Sequence, residues 1–220
     1  MIDQLKRRSF LTEASVLVMV IIFILMTFAG GSTNSKVLID FGAENNTLIN
    51  AGQWWRLLSA SFIHIGYQHL ILNLIFIYFL GKIVENNFGH WRFMFIFLIS
   101  GIVGNLFSFA FDTGLSAGSS TVIFGLFGAY FSLYFAYPNN MEIRQQSSSF
   151  VILILFNLLF DIFMPSISLV GHLGGLVGGF LISQVLGVPN EKTLNKKSKI
   201  IYANALIIVI MVMYYIGLNR

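Results

Sequence analysis

Four polar residues could carry out chemistry within an otherwise apolar sequence. Ser120 carries a hydroxyl and His172 an imidazole, and a histidine can activate a serine as a nucleophile. His69 and Asn73 are four residues apart, so both would point to the same side of a helix. Polar side chains inside a membrane are costly and indicate function by default, so a shared depth for all four would predict a single site.

Each of these groups also has a simpler explanation. A serine in a membrane helix can bond to its own backbone, and a histidine there can be a packing or proton-relay residue. Gly171, Gly175 and Gly179 recur every four residues beside His172 and could serve only to pack helices. The same spacing, however, lets helix backbones approach closely, which a short serine hydroxyl needs in order to reach an imidazole.

The composition predicts the helices that must position these groups. Of the 220 residues, 56% are hydrophobic and 10% are charged, and the charges leave seven long charge-free runs. This pattern predicts an all-α polytopic membrane protein and excludes an ordinary soluble fold. The absence of cysteine excludes disulfides, thiolate metal sites and a cysteine nucleophile. The helices are expected at about 13–31, 67–88, 92–111, 120–137, 148–164, 169–186 and 200–218.

The basic residues predict the orientation in the membrane. With a cytoplasmic N-terminus, ten of the thirteen lysines and arginines lie inside, and the four polar residues fall at the outer ends of their helices. Glu85 then lies sixteen residues, about 24 Å, below His69, where a structural role is expected. The basic residues form no stripe with interleaved aromatics, so no nucleic-acid partner is expected. We expect a multi-pass protein of a prokaryotic cell membrane.

Two further segments are distinctive. The long first loop, about 32–66, carries Trp54, Trp55 and Arg56, which suit a membrane interface where the arginine can reach lipid headgroups. The fifth helix carries several phenylalanines and no glycine. Bulky residues without small notches predict looser packing and a helix that could move.

Taken in order, the polar and small residues resemble the rhomboid family of intramembrane serine proteases. The resemblance covers about residues 10–188, the six-helix core of that family, and the seventh helix resembles a C-terminal addition. Two positions depart from the family pattern, since Thr121 stands where glycine often follows the nucleophile and Phe124 where tyrosine is frequent. The matching motifs are Trp55-Arg56; His64, His69 and Asn73; Gly81, Glu85 and Gly89; Gly118-Ser119-Ser120; and His172, Gly175 and Gly179.

The resemblance implies a serine endopeptidase mechanism. Ser120 would be the nucleophile and His172 the general base. The Ser120 N–H would stabilise the oxyanion together with His69 and Asn73. No acid stands at a matching position, so a dyad without a carboxylate is expected, with the His172 ring oriented by Phe124 and by helix packing. No cofactor or metal is expected, and the supporting residues would be Phe124, Gly118, His64, Trp55, Arg56, Glu85, Gly175 and Gly179.

The resemblance and the geometry together predict the partners. Transmembrane segments of other proteins would enter sideways from the lipid bilayer near the fifth helix, and water would reach the site through a polar cavity open to the outside. The oligomeric state stays open. The expected organisation is a cytoplasmic N-terminus (1–12), a protease core (13–188), a basic linker (189–199) and a seventh helix (200–220).

Two alternatives stay open. Asp112 and Asp161 lie at the outer ends of the third and fifth helices and could serve an intramembrane aspartyl protease, although their flanking residues lack the motifs of that class. A non-enzymatic alternative is a rhomboid-like binding protein or a small transporter with a histidine relay.

Overall fold

The structure, a computed structural model, describes residues 9–163, 167–189 and 194–220. The N-terminal basic cluster and residues 190–193 of the expected linker therefore lie outside the described residues. The elements, in chain order, are α1 (Phe10–Phe28), α2 (Ser35–Phe41), β1 (Glu44–Asn45), α3 (Asn46–Asn50), α4 (Arg56–Ser59), a 3-10 turn (Ala60–Phe62), α5 (Gly66–Phe88), α6 (His90–Phe111), β2 (Leu115–Ser116), α7 (Ser120–Ala136), α8 (Met141–Phe163), α9 (Leu169–Leu186) and α10 (Lys196–Leu218).

The seven predicted long helices are all present, as α1 and α5–α10. The fifth of them, α8, begins at Met141 rather than at 148, because the Asn140 side chain accepts hydrogen bonds from the N–H groups of Glu142 and Ile143 at 3.0 and 3.1 Å. Its expected end at 164 lies outside the described residues. Six of these helices are long and apolar enough to cross a membrane, and α7 is a shorter apolar helix of 17 residues. The chain is a multi-pass, all-α membrane protein.

Helix α7 lies at the centre of the bundle. It packs against α5, α6, α8 and α9, and every residue from Thr121 to Tyr130 is buried. At 1.5 Å per residue it is only about 25 Å long. Its apolar side chains therefore contact protein rather than lipid, and the surrounding helices position the residue at its N-terminus, Ser120.

Helices α7 and α9 approach each other closely because glycines line the contact. A Cβ atom on Gly175 would overlap the carbonyl oxygen of Thr121, and one on Gly179 would overlap that of Gly125. The predicted role of these glycines in close helix packing is confirmed. This contact brings the first turns of the two helices together.

The first loop is folded rather than extended. It contains α2, α3 and α4, and the side chains of Asn34 and Asn45 cap α2 and α3. Strand β1 pairs antiparallel with β2, with Glu44 opposite Ser116. These short elements satisfy backbone groups that the loop buries. The pairing also attaches the loop to the segment that leads into Ser120.

Three long helices lie at the periphery. In α8 the buried residues are Ser147, Ile154 and Asp161, and α1 and α10 are similarly exposed along most of their length. The expectation that α8 packs loosely is confirmed. Whether α8 moves stays a prediction.

Candidate active site

Ser120 is the first residue of α7 and is half-buried. The segment before it is held in place, because the Gly118 N–H donates to the carbonyl oxygen of Ala60 at 3.0 Å. Gly118 adopts a φ of 146°, which side chains rarely tolerate. As the first residue of a helix, Ser120 has a backbone N–H without a partner inside that helix. A hydroxyl and an N–H donor are therefore presented at the same residue.

His64 supports the residue next to Ser120. Its Nε2 atom lies 3.1 Å from the Ser119 hydroxyl and accepts the Ser119 N–H at 3.4 Å. Burial, assisted by the nearby His69, lowers the pKa of His64 to about 3, so the ring is neutral and can accept. This geometry agrees with the expected structural role of His64. The contact also links the first loop to the residue that precedes α7.

His69 and Asn73 lie in the first turns of α5. The His69 ring packs directly on Gly118, because a Cβ atom there would lie 2.6 Å from its Cε1 atom. The Asn73 amide donates to the His69 carbonyl oxygen at 2.9 Å and has a second N–H. The structure therefore brings His69 beside the segment that leads into Ser120, with Asn73 one turn further along α5.

His172 lies in the first turn of α9 and is stacked on Phe124. The two ring centroids are 4.2 Å apart and the planes differ by 10°. Phe124 follows Ser120 by one helical turn, so this stacking places the imidazole at the Ser120 end of α7. The expected ring contact is confirmed, and it does not require the tyrosine hydroxyl that Phe124 lacks.

The expectation of a histidine without a carboxylate partner is wrong. Nδ1 of His172 lies 2.6 Å from Oδ2 of Asp161, and both side chains are nearly fully buried. Asp161 lies in the last turn of α8, and its side chain is buried in the protein rather than exposed on its surface. Helix packing that the family motifs do not encode makes this contact.

The two aspartates of the alternative protease have different partners. Asp161 contacts His172, whereas Asp112 accepts hydrogen bonds from the hydroxyls of Ser168 and Ser108. An aspartyl protease requires two carboxyl groups that share a proton. This geometry does not favour that mechanism.

Arg56 does not reach lipid headgroups, so that expectation is wrong. The guanidinium is buried and donates to the carbonyl oxygens of Ile39 and Ala43 at 2.8 and 2.9 Å and to the Gln53 side chain at 2.8 Å. The Trp55 ring lies against it at 4.6 Å and stays partly exposed. Arg56 satisfies carbonyl groups inside the first loop.

Glu85 has the expected structural position, far from the site. Its carboxylate accepts the backbone N–H groups of Leu11 and Thr12 at 3.1 and 2.8 Å and the Thr12 hydroxyl at 2.6 Å. These N–H groups belong to the first turn of α1, where backbone N–H groups have no acceptor within their own helix. Gly81 allows Thr12 to pack against α5. Glu85 therefore joins the first turn of α1 to the last turn of α5.

Sequence reasoning missed two contributors. Asn105 on α6 donates to the Leu57 carbonyl oxygen at 2.8 Å and to the Ser61 hydroxyl at 3.1 Å, which fixes the first loop. Asp161 is the other, and a signal for it was present. It lies in the last turn of one helix and His172 lies in the first turn of the next, so the two share one end of the bundle.

Comparison with known proteins agrees with this architecture. Residues 51–189 match the Rhomboid domain family. Over 209 residues the chain is 38% identical to the rhomboid protease GluP of Bacillus subtilis. The aligned region covers 94% of this chain and 40% of that protein. It is 36% identical over 135 residues to the putative rhomboid protease YdcA of Bacillus subtilis, covering 60% of this chain and 67% of that protein.

A eukaryotic relative shows the same similarity. Over 169 residues the chain is 36% identical to rhomboid-like protease 1 of Toxoplasma gondii, covering 74% of this chain and 56% of that protein. The chain thus spans less than half the length of GluP and about half that of the Toxoplasma protein. The matched range, 51–189, spans the segment from the end of α3 to the end of α9. The chain belongs to the rhomboid family.

Proposed function

We propose that this chain is an intramembrane serine endopeptidase in which Ser120 is the nucleophile and His172 the general base. The stacking of His172 on Phe124, one turn from Ser120, is the observation that carries the proposal. Close packing of α7 and α9 supports it, since it brings both side chains to one end of the bundle. The names of the relatives point to the same activity.

The reaction follows the chemistry of serine acyl transfer. His172 takes the hydroxyl proton while the Ser120 oxygen attacks the scissile carbonyl carbon. The imidazolium then protonates the leaving nitrogen, the peptide bond breaks and an acyl-enzyme remains. A water molecule, deprotonated by His172, attacks the ester, and the proton returns to Ser120 as the acid product leaves.

The negative oxygen of the tetrahedral intermediate needs donors. The Ser120 N–H is available at the start of α7, where the helix dipole also favours negative charge. His69 lies beside Gly118, and Asn73 has a second N–H beyond the one that its own helix uses. Each such donor contributes about 3 kcal/mol to transition-state stabilisation in comparable sites.

The substrate class follows from the membrane setting. A transmembrane helix hides its peptide carbonyls in its own hydrogen bonds, so cleavage favours substrates with helix-weakening residues near the scissile bond. Entry past α8 is supported by its loose packing against α7 and α9. Helices α1 and α5–α9 would form the protease core, and α10 an addition to it.

The proposed orientation has the N-terminus in the cytoplasm and the site near the outer face. The described charges support it, because one end of the bundle carries most of the basic side chains: Lys82, Arg92, Arg144, Lys196, Lys197 and Lys199. Ser120 and His172 lie in the first turns of α7 and α9, at the end of the bundle opposite these basic side chains. Lys6, Arg7, Arg8 and Lys192 lie outside the described residues.

The test is cleavage of a model transmembrane substrate by protein reconstituted in vesicles. Ser120→Ala and His172→Ala are expected to lower the rate by about 10⁴-fold or more while the protein stays folded, because each removes a reacting group. Ser149→Ala is the control, since it removes an exposed hydroxyl on α8 that donates to the Gln145 carbonyl oxygen of the same helix, and it should retain most activity. Full cleavage by Ser120→Ala would refute the proposal and favour another protease class, whereas a folded wild-type protein that cleaves nothing would favour a binding protein or a transporter.

A further inference from the structure

Resting on the proposed function, we propose that Asp161 is a positioning residue for His172. The site would then be a serine–histidine–aspartate arrangement in which the carboxylate comes from α8. Nδ1 of His172 and Oδ2 of Asp161 are 2.6 Å apart, and the side chains are 7% and 4% exposed. The contact is therefore shielded from water, where such an interaction is strong.

Stability alone does not explain a carboxylate at this point. The neighbouring side chains Phe160, Ile162 and Phe163 are exposed on the outside of α8, while Asp161 turns inward. A negative charge near a helix C-terminus is disfavoured by the helix dipole, and burying an ion pair gains little net stability. An acid retained under both penalties indicates a role in the chemistry of its partner.

The partner needs such an acid because of its own position. His172 is the fourth residue of α9, and the positive end of that helix disfavours an imidazolium. A carboxylate opposite Nδ1 offsets this penalty while the ring holds the serine proton. Because an ionised carboxylate only accepts hydrogen bonds, it also keeps the hydrogen on Nδ1 and leaves Nε2 to accept from Ser120.

Asp161 and Phe124 would orient the ring together. Phe124 contacts one face of the imidazole and Asp161 fixes the rotation within its plane. His69 on α5 is a second titratable side chain near His172. A histidine cannot replace the carboxylate, because it supplies no negative charge.

The position of Asp161 couples α8 to the chemistry. Toward its inner end α8 is held by the Tyr130–Gln146 hydrogen bond of 2.6 Å and by Phe150, whose ring packs on Tyr130. At its outer end it is held by Asp161. Displacement of that outer end would remove the carboxylate from His172, so α8 must be docked while the proton moves.

The test compares four reconstituted proteins by kcat and by KM on a model transmembrane substrate. They are wild type, Asp161→Asn, Asp161→Glu and the control Gln146→Met, which loosens α8 without touching His172. Asp161→Asn is expected to lower kcat at least about tenfold. KM should stay within about twofold of wild type, because the imidazolium that Asp161 stabilises forms only after substrate is bound.

The other variants separate positioning from packing. Asp161→Glu should restore part of kcat, and Gln146→Met should lower thermal stability while changing kcat less than Asp161→Asn does. If Asp161→Asn does not fold, Asp161→Ser supplies a second neutral variant for the same two readouts. A wild-type kcat in the neutral variant, a loss of rate that appears in KM rather than in kcat, or a gain in activity would overturn the inference.

Ser120→Ala distinguishes the two levels of the account. If Ser120→Ala still cleaves the substrate, the proposed function fails whatever Asp161 does. If Ser120→Ala is inactive while Asp161→Asn behaves like wild type, only the inference about Asp161 fails.

Discussion

At the scale of single residues, Glu44 presents a buried acid outside the membrane-spanning helices. Its side chain is 1% exposed, and its Oε2 atom has no hydrogen-bond partner among the described residues. Burial raises the pKa of Glu44 to about 8, with a smaller contribution from the nearby Asp112. The folded protein therefore keeps a proton that the unfolded chain releases near pH 4.5.

This proton makes stability depend on pH in a defined direction. Between pH 4.5 and about 8 the folded state binds more protons, so the free energy of unfolding should fall by about 1.4 kcal/mol per pH unit as pH rises. Glu44→Gln should remove this contribution and be more stable than wild type at pH 9. Thermal unfolding in detergent from pH 5 to 9 measures it. Asp40→Asn, which removes an exposed carboxylate of the same loop, is the control, and parallel curves for wild type and Glu44→Gln would contradict the prediction.

Single residues also show how far sequence reasoning reaches. The stacking of His172 on Phe124, near the Ser120 end of α7, was predictable, because motif spacing and helix depth constrain it. The buried contacts of Arg56 were not predicted, because an arginine beside tryptophans also suits a membrane interface. The contact of Asp161 with His172 depends on how α8 rotates about its axis, which spacing within one helix does not determine.

At the scale of elements, the contact between α7 and α9 positions the site. The backbones are close because glycines on α9 face carbonyl oxygens of α7. The periodicity of Gly171, Gly175 and Gly179 predicted this contact, since three small residues at intervals of four mark one face of a helix. The short helices of the first loop were not predicted, because they depend on asparagine caps and on long-range pairing between β1 and β2.

Gly175→Ala tests the importance of that contact. The new Cβ atom would overlap the backbone carbonyl oxygen of Thr121, the residue after Ser120, and no flexible side chain can give way. We expect a loss of about 3 kcal/mol or more in stability and a larger loss of cleavage, since the helices must separate. Thermal unfolding and cleavage rates measure the two effects.

Val177→Ala is the matched control for this variant. Val177 lies on the same helix and is 37% exposed, so trimming it should change stability and cleavage little. Wild-type activity in Gly175→Ala would show that close approach of α7 and α9 is not needed to position Ser120.

At the scale of the whole molecule, the charges and the site make one prediction about orientation. The chain contains no cysteine, so single cysteines report position without background. Asn50→Cys lies in an exposed position at the end that carries Ser120, and Glu142→Cys lies exposed at the opposite end. In intact cells a membrane-impermeant maleimide should label the first, and should label the second only after permeabilisation. The reverse pattern would contradict the proposed topology.

The whole-molecule fold was largely predictable, because seven apolar segments separated by charges leave few alternatives in a membrane. The arrangement of these helices around α7 was harder to predict from the sequence, because α7 resembles the other spans in composition and differs from them in length and burial. Ser120 begins this central helix, which is the shortest of the seven.

The central claim is that Ser120 is a nucleophile activated by His172. The measurement that tests it is peptide mapping by mass spectrometry after reaction of the folded, reconstituted protein with a fluorophosphonate. The account predicts one adduct, on the peptide that contains Ser120, absent in Ser120→Ala and formed much more slowly in His172→Ala. An adduct on another residue, or a folded wild-type protein that cleaves substrate but never reacts at Ser120, would contradict it.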